Sequence, residues 1–328
     1  MGIICACCKR QPRLLLIDPS EDLDFDIQAE DIKRGTNYFS YKNRIGAGGF
    51  GEVYRTETLS YGILAVKRMK EQLLTVNDLL ECQNIIQYRH TNLVCLFSAL
   101  MVDNHFCMVM EYVANGSLRS KLKAKDENLD YSVRLQICRG IAEGINYLHT
   151  AFMTYLVHRD IKSDNILLTE DYTPKICDFG LAKILSARID HGNSAIFTET
   201  ICGTEPYLPP ESFQGIVSRR FDVYSYGVVL LEIISGKPAT FSDLEGCRFL
   251  ANYFLHCYNH DKSTFPIAET APWPNNIKKK LMKLAKNCLK RNYRDRPQMD
   301  KVTTKLAKIN LMQDNSPDSK LTRFFSRI

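Results

Sequence analysis

No stretch of this 328-residue chain is apolar for long enough to cross a bilayer. The longest runs, such as Tyr226 to Ile234, stop well short of the ~20 residues a membrane helix needs and carry Glu232. A secretory signal is also missing, and the twelve cysteines show no pairing pattern. Cys5, Cys7 and Cys8 crowd the N-terminus, while the others are scattered, several inside apolar runs where Cys behaves as a small hydrophobe. These absences argue against a secreted disulfide scaffold and for free thiols in a reducing, cytoplasmic compartment. Zinc is not expected at the N-terminal cysteines, which are too close together and have no nearby His. Net charge is only +6, and no Lys/Arg block is dense enough to argue for nucleic acid. A mildly basic chain suits anionic substrates or membrane surfaces. There is no internal repeat.

What is present is ordinary for a globular protein: 45% hydrophobic and 24% charged residues. Residues 1–35 read as a disordered tail, basic at Lys9, Arg10 and Arg13, then acidic from Asp18 to Asp31. Asn43 to Lys70 alternates and is rich in Gly, Val and Tyr, the pattern of a β-meander. Glu71 to Tyr88 has helical spacing, and Leu93 to Leu100 and Phe106 to Tyr112 read as strands. From Ser117 the pattern turns helical, with helices expected over Tyr131–His149, Phe221–Ser235 (stopped by Gly236) and Ile277–Arg291. The last of these carries Lys opposite an apolar stripe. That pattern fits a surface helix, and also a calmodulin or membrane site.

Chemistry concentrates in short stretches. One reads His158-Arg159-Asp160-Ile161-Lys162-Ser163-Asp164-Asn165-Ile166-Leu167-Leu168, and ten residues after Leu168 comes Asp178-Phe179-Gly180. Phosphoryl transfer needs a carboxylate to take the attacking hydroxyl's proton, oxygen ligands for metal ions, and positive charge against phosphates. Asp160 is the candidate base, Lys162 the charge, and Asn165 with Asp178 the metal ligands. Upstream, Ile45-Gly46-Ala47-Gly48-Gly49-Phe50-Gly51-Glu52-Val53 has a glycine spacing shared by dinucleotide folds and phosphate flaps. The dinucleotide version requires a helix after the last glycine. Here Glu52-Val53-Tyr54-Arg55 reads as a strand, which favours the flap.

In this order, the stretches resemble the glycine-rich loop, catalytic loop and metal-binding turn of protein kinases. The resemblance implies an α+β, bilobal protein kinase fold: a small five-stranded β lobe with one helix (36–110), a hinge (111–114), a larger, mostly helical lobe (115–311) and a tail (312–328). It implies ATP and Mg²⁺ or Mn²⁺ as cofactors. Lys67 of Leu64-Ala65-Val66-Lys67 would grip the α- and β-phosphates, paired with Glu81, nine residues before His90-Thr91-Asn92-Leu93. Ile45, Gly46, Ala47, Gly48, Gly49, Phe50 and Gly51 would cover the nucleotide, with Val53, Ala65 and Leu167 around the base. Met110 stands at the gatekeeper position, and the backbones of Glu111 and Val113 would pair with adenine. Lys162 and Gly203-Thr204 imply Ser/Thr specificity, with Thr204 bridging Asp160 and Lys162. Glu211 is expected to pair with Arg296, and Asp222 to bind the catalytic-loop backbone. In Pro209-Pro210-Glu211, Pro209 replaces the family's alanine and removes one donor. Arg159 beside the base implies a phosphate on the activation segment. Thr198 is the first candidate, with Thr200 and Ser194 after it, and Glu199 supplying part of the charge.

Asn37-Tyr38-Phe39-Ser40, Asn115-Gly116-Ser117-Leu118 and the run Asp222 to Ala239 narrow the resemblance to Pelle, the interleukin-1-receptor-associated kinases and their plant receptor-like relatives, over Thr36 to Leu311. That branch implies receptor-proximal, innate-immune signalling of the Toll/interleukin-1 type. Its expected partners are protein substrates with Ser/Thr acceptors and an upstream receptor or adaptor complex. Animal members carry a Tyr gatekeeper and an N-terminal death domain. This chain has Met110, and its leading residues are too few for such a domain, so an isoform, a fragment or another mode of recruitment is expected. The alternative reading is a pseudokinase scaffold or a membrane-tethered adaptor. The start of the chain fits a peripheral anchor at the inner face of the plasma membrane: Gly2 for myristoylation, Cys5, Cys7 and Cys8 for palmitoylation, although Ala6 stands where Ser or Thr is usual.

Overall fold

Alternating residues between Asn43 and Lys70 form the first three strands of an antiparallel sheet: β1 (Arg44–Ala47), β2 (Gly51–Thr58) and β3 (Gly62–Met69). The computed structural model describes residues 26–49, 51–70, 85–186, 195–240, 246 and 249–309, in two units, Met1–Val113 and Ala114–Ile328. In the first unit β4 (Leu96–Val102) and β5 (His105–Glu111) complete a five-stranded sheet of order β1-β2-β3-β5-β4. β4 starts three residues later than expected, because the Leu93 N–H closes a turn onto the His90 carbonyl at 3.0 Å. Asp103 and Asn104 join β4 to β5 with φ of 45° and 61°, the left-handed pair a two-residue hairpin requires. Gly51 is forced by close approach, since a Cβ there would lie 2.3 Å from the Arg68 carbonyl.

One expectation is corrected. Residues 26–35, read as part of a disordered tail, contain helix α1 (Ala29–Gly35). The Asp31 carboxylate accepts the Gln28 N–H at 3.1 Å, closing the first turn. Ile27 and Ile32 are buried in the cluster of Leu64, Val66, Phe97, Val102, Cys107 and Val109. The acidic composition hid two isoleucines five residues apart, and their burial anchors the segment. The helix expected over Glu71–Tyr88 lies almost wholly outside the described residues.

The second unit is mainly helical: α2 (Leu118–Ala124), α3 (Tyr131–Thr150), α4 (Arg220–Ser235), α5 (Leu250–Asn259), α6 (Asn275–Cys288) and α7 (Met299–Ala307). Asp130 caps α3, accepting the Ser132 and Val133 N–H groups at 2.9 and 2.8 Å, a cap worth about 1 kcal/mol. Every residue of α4 from Phe221 to Ser235 is buried, as expected for a helix apolar on all sides. Gly236, with φ 69°, ends it and donates to the Glu232 carbonyl. Short strands complete the unit: β6 (Thr154–Val157) with β9 (Lys183–Ser186), β7 (Ile166–Leu168) with β8 (Pro174–Ile176), and β10 (Ile196–Phe197) with β11 (Ile216–Val217).

The expectation of free thiols has a structural counterpart. Cys107, Cys138 and Cys288 are buried and unpaired, and burial pushes each thiol up to about 12, which keeps it protonated and inert.

Candidate active site

A short ladder builds one end of the site. β7 and β8 pair Ile166 with Ile176, and the Cys177 N–H extends the pairing to the Asn165 carbonyl at 2.9 Å. Asn165, just before β7, and Asp178, just after Cys177, are thereby carried at the same end of the hairpin. His158 binds this end too, its Nε2 lying 3.1 Å from the Cys177 carbonyl and its ring 5.1 Å from that of Phe179. Burial pushes the His158 imidazole below its ordinary pKa, so it sits there neutral.

Asp160 is the centre of the arrangement and is only 5% exposed. Its Oδ2 accepts from Lys162 Nζ at 2.7 Å and from Asn165 Nδ2 at 2.9 Å. Its Oδ1 accepts from the Thr204 hydroxyl at 2.7 Å, and Lys162 Nζ also donates to that hydroxyl at 2.8 Å. Thr204 therefore bridges Asp160 and Lys162, as expected from Gly203-Thr204. Three side chains from two segments lock one carboxylate in a fixed direction, which is the preorganisation a general base needs.

The loop carrying Asp160 is strained and held from below. Arg159 has φ 65° and Asp178 φ 64°, both left-handed in non-glycine residues. Asp222, fully buried on α4, accepts the His158 and Arg159 N–H groups at 2.9 Å each and lies 2.8 Å from His149 Nε2. The Arg159 Nε donates to the Leu181 carbonyl, and among the described residues no carboxylate is within ion-pair reach of its guanidinium. Glu211 and Arg296 form the expected pair, bidentate at 2.6 and 2.7 Å and buried. Pro209, at the family's alanine position, is the N-cap of the short helix Pro210–Gln214, and its carbonyl accepts the Ser212 N–H at 3.0 Å.

One feature is absent from the sequence reading. Glu232, fully buried on α4, accepts from Ser163 Oγ at 3.0 Å, Tyr207 OH at 2.9 Å and the Ala239 N–H at 3.2 Å. It joins the catalytic loop, through Ser163, to the segment after Thr204, through Tyr207. Burial pushes its carboxyl up to about 7. The available signal was a second carboxylate, after Asp222, in a mostly apolar helix.

In the first unit, Lys67 lies on β3, 6% exposed, opposite Val53 on β2 and Met108 on β5. Ala65 faces Met110 across the same ladder, and the Glu111 N–H donates to the Cys95 carbonyl at 3.0 Å. Val113 is buried; Ile45 and Ala47 lie on β1 with Gly46 between them. The Gly48 N–H closes the glycine turn onto the Gly51 carbonyl at 2.8 Å. Leu167 is half-buried on β7 of the second unit. Thr198 is pinned by its N–H to the Gly215 carbonyl at 2.8 Å, and Thr200 N–H reaches its hydroxyl at 3.1 Å; Thr200 itself is exposed. Glu81, Phe50, Ser194, Gly2, Cys5, Cys7 and Cys8 lie outside the described residues.

Asn165 and Asp178 fit a magnesium site in donor chemistry. Asn165 Nδ2 is committed to the Asp160 carbonyl and carboxylate, both at 2.9 Å, which turns the amide oxygen away from them. With the Asp178 carboxylate this offers two hard oxygen donors, the usual protein share where substrate phosphates supply the rest. Among the described residues no group of three or more His, Cys, Asp or Glu could hold a metal by itself.

The family model for the protein kinase domain matches residues 39–306. A leucine-rich repeat receptor protein kinase of Arabidopsis thaliana is 35% identical over 312 residues, covering 92% of this chain and 26% of the relative. A G-type lectin S-receptor-like serine/threonine-protein kinase of Arabidopsis thaliana is 33% identical over 309 residues, 91% of this chain and 36% of the relative. The calmodulin-binding receptor-like cytoplasmic kinase 2 of Arabidopsis thaliana is 34% identical over 286 residues, 83% of this chain and 69% of the relative. The chain thus spans about a quarter to a third of the first two relatives' length.

Proposed function

The chain belongs to the protein kinase family, and we propose that it transfers the γ-phosphate of ATP to Ser and Thr hydroxyls of other proteins. The observation that carries the proposal is the Asp160 carboxylate held by Lys162, Asn165 and Thr204. In this mechanism Asp160 orients the acceptor hydroxyl and takes its proton as the bond to phosphorus forms. Lys162 places positive charge beside the transferring group, and Lys67 holds the α- and β-phosphates, oriented by Glu81. Asn165 and Asp178 would hold Mg²⁺ or Mn²⁺, which would supply positive charge to the phosphates. The glycine turn from Gly46 to Gly51 covers the phosphates, and the Glu111 and Val113 backbones hold adenine behind Met110.

Asp160→Asn tests the reading. It should lower phosphate transfer from labelled ATP to a Ser/Thr peptide by about 10²-fold or more while nucleotide binding stays near that of wild type. Retained turnover would show that Asp160 is not the base.

The finer proposal is receptor-proximal signalling at the cytoplasmic face of a membrane. The receptor-like kinases it resembles support the receptor-proximal part. The Toll/interleukin-1 assignment rests on the Pelle-like motifs. No helix among the described residues is long and apolar enough to cross a membrane, so attachment would run through acylation of Gly2 and of Cys5, Cys7 or Cys8. Intact mass and fractionation of the Gly2→Ala variant test this: wild-type protein that is unmodified and wholly soluble would end it.

A further inference from the structure

Between Asn275 and Arg294 the sequence has eight Lys or Arg residues and no Asp or Glu. α6 supplies most of them. Its apolar stripe, Ile277, Leu281, Leu284, Ala285 and Cys288, is buried. Gly227 on α4 makes that packing close: a Cβ there would lie 2.9 Å from the Cys288 Cβ. Calmodulin wrapping or insertion into a bilayer would need this stripe, and freeing it would dissolve the core. The polar face is what remains available. Lys279, Lys280 and Lys283 are exposed on it, and Lys290, Arg291 and Arg294 continue it past the helix end. Lys286 lies 4.4 Å from the Tyr258 ring centroid, and Lys262 the same distance, so the face extends to the end of α5. Among the described residues, none of Lys279, Lys280, Lys283, Lys290 and Arg291 has a carboxylate within ion-pair distance. The acids that border the face are engaged locally, Asp261 with Ser263 and Asp300 with the Lys301 N–H, while Asp295 is exposed beyond its end.

We propose that this lysine face is an electrostatic docking surface for an anionic lipid bilayer. The composition selects the partner. Protein interfaces are depleted of Lys at their centres and depend on buried aromatic or aliphatic anchors. None of the exposed large hydrophobic residues falls between 275 and 294. Lipid headgroups need no such anchor, since each Lys or Arg near an anionic surface adds affinity by charge alone. A 14-residue helix lying flat is about 21 Å long, enough to set several lysines against one membrane plane. The surface acts beside any N-terminal acyl chain and fixes which side of the second unit faces the lipid.

Sedimentation of the full, unacylated chain with vesicles tests the proposal. The chain should bind phosphatidylcholine vesicles containing phosphatidylserine, should not bind phosphatidylcholine alone, and should be released by salt. Changing Lys279, Lys280 and Lys283 together to Gln should weaken binding on the order of a hundredfold, about fivefold per charge. These are exposed surface residues, so transfer to a soluble peptide should be unchanged, which also reports that the variant folds. Changing Lys9, Arg10 and Arg13 to Gln should have little effect. Undiminished binding by the Lys279/Lys280/Lys283 variant, or binding lost only with the N-terminal variant, overturns the proposal. So does absence of vesicle binding, including the case where the wild type alone captures an acidic polyglutamate peptide.

Discussion

Replacing Asp222 by Asn removes one of the two carboxylate oxygens that hold the loop beneath the base. The Oδ1 accepts the Arg159 N–H, and the Oδ2 accepts the His158 N–H beside His149. An amide offers one acceptor and one donor, so in either orientation a buried backbone N–H meets an NH₂ group. Leaving such a donor unsatisfied costs about 1–3 kcal/mol. Arg159 stands at φ 65°, a conformation that costs about 1–3 kcal/mol and persists only where its surroundings hold it. The loop escapes both costs by relaxing, which misplaces Asp160. A loss of about 2 kcal/mol in the competent geometry lowers kcat about 30-fold. KM for ATP should change little, because neither group touches the nucleotide. Steady-state kinetics and hydrogen exchange at residues 158–160 measure the two effects together. A kcat within about threefold of wild type, with unchanged amide protection, would refute the argument that Asp222 holds the loop.

Arg296→Ala leaves Glu211 buried and unpaired, and should destabilise the chain by about 3–5 kcal/mol in urea unfolding; a change below about 1 kcal/mol would place that pair in water. Glu232 is held up to about 7 by burial, against an ordinary 4.5. Its contribution to stability is thus fully present below about pH 4.5 and is lost as pH rises through about 7. Glu232→Gln stays uncharged, so relative to wild type it should gain about 3 kcal/mol between those limits; a pH-independent difference would remove the shifted carboxyl. Incubation with ATP should place phosphate on Thr198 before Thr200 or Ser194, because Arg159 has no carboxylate among the described residues. Mass spectrometry reads this, and full activity with no phosphate between Asp178 and Glu211 would shift the role to Glu199.

The residues of the proposed site were legible because the phosphoryl transfer proposed for it leaves few options for residue type and spacing. Asp160, Lys162, Thr204 and Asp222 were placed from order along the chain, and the Thr204 bridge and the Asp222 grip are both present. Periodicity located α3 and α4 to within a residue or so, since each has a long uninterrupted pattern. α6 ends three residues before the expected Arg291 because Lys290 and Arg291 bury nothing. α1 was missed for the opposite reason: acids dominate the composition there, whereas Ile27 and Ile32, with Ala29 beside them, do the packing.

Amino-acid order alone determined which groups are available for chemistry, because the proposed base, metal-binding amide and phosphate-gripping lysine need particular side chains at particular separations. Only the tertiary structure decided how those groups are held. Whether α6 offers its apolar or its lysine face depends on the close approach of Gly227 to Cys288, two positions far apart in sequence. That Glu232 is a buried tie between Ser163 and Tyr207 depends on three segments meeting at one helix. A sequence pattern records the polarity of each residue, but the cost of burying a charge, and the hydrogen bonds that offset it, exist only once the neighbours are in place.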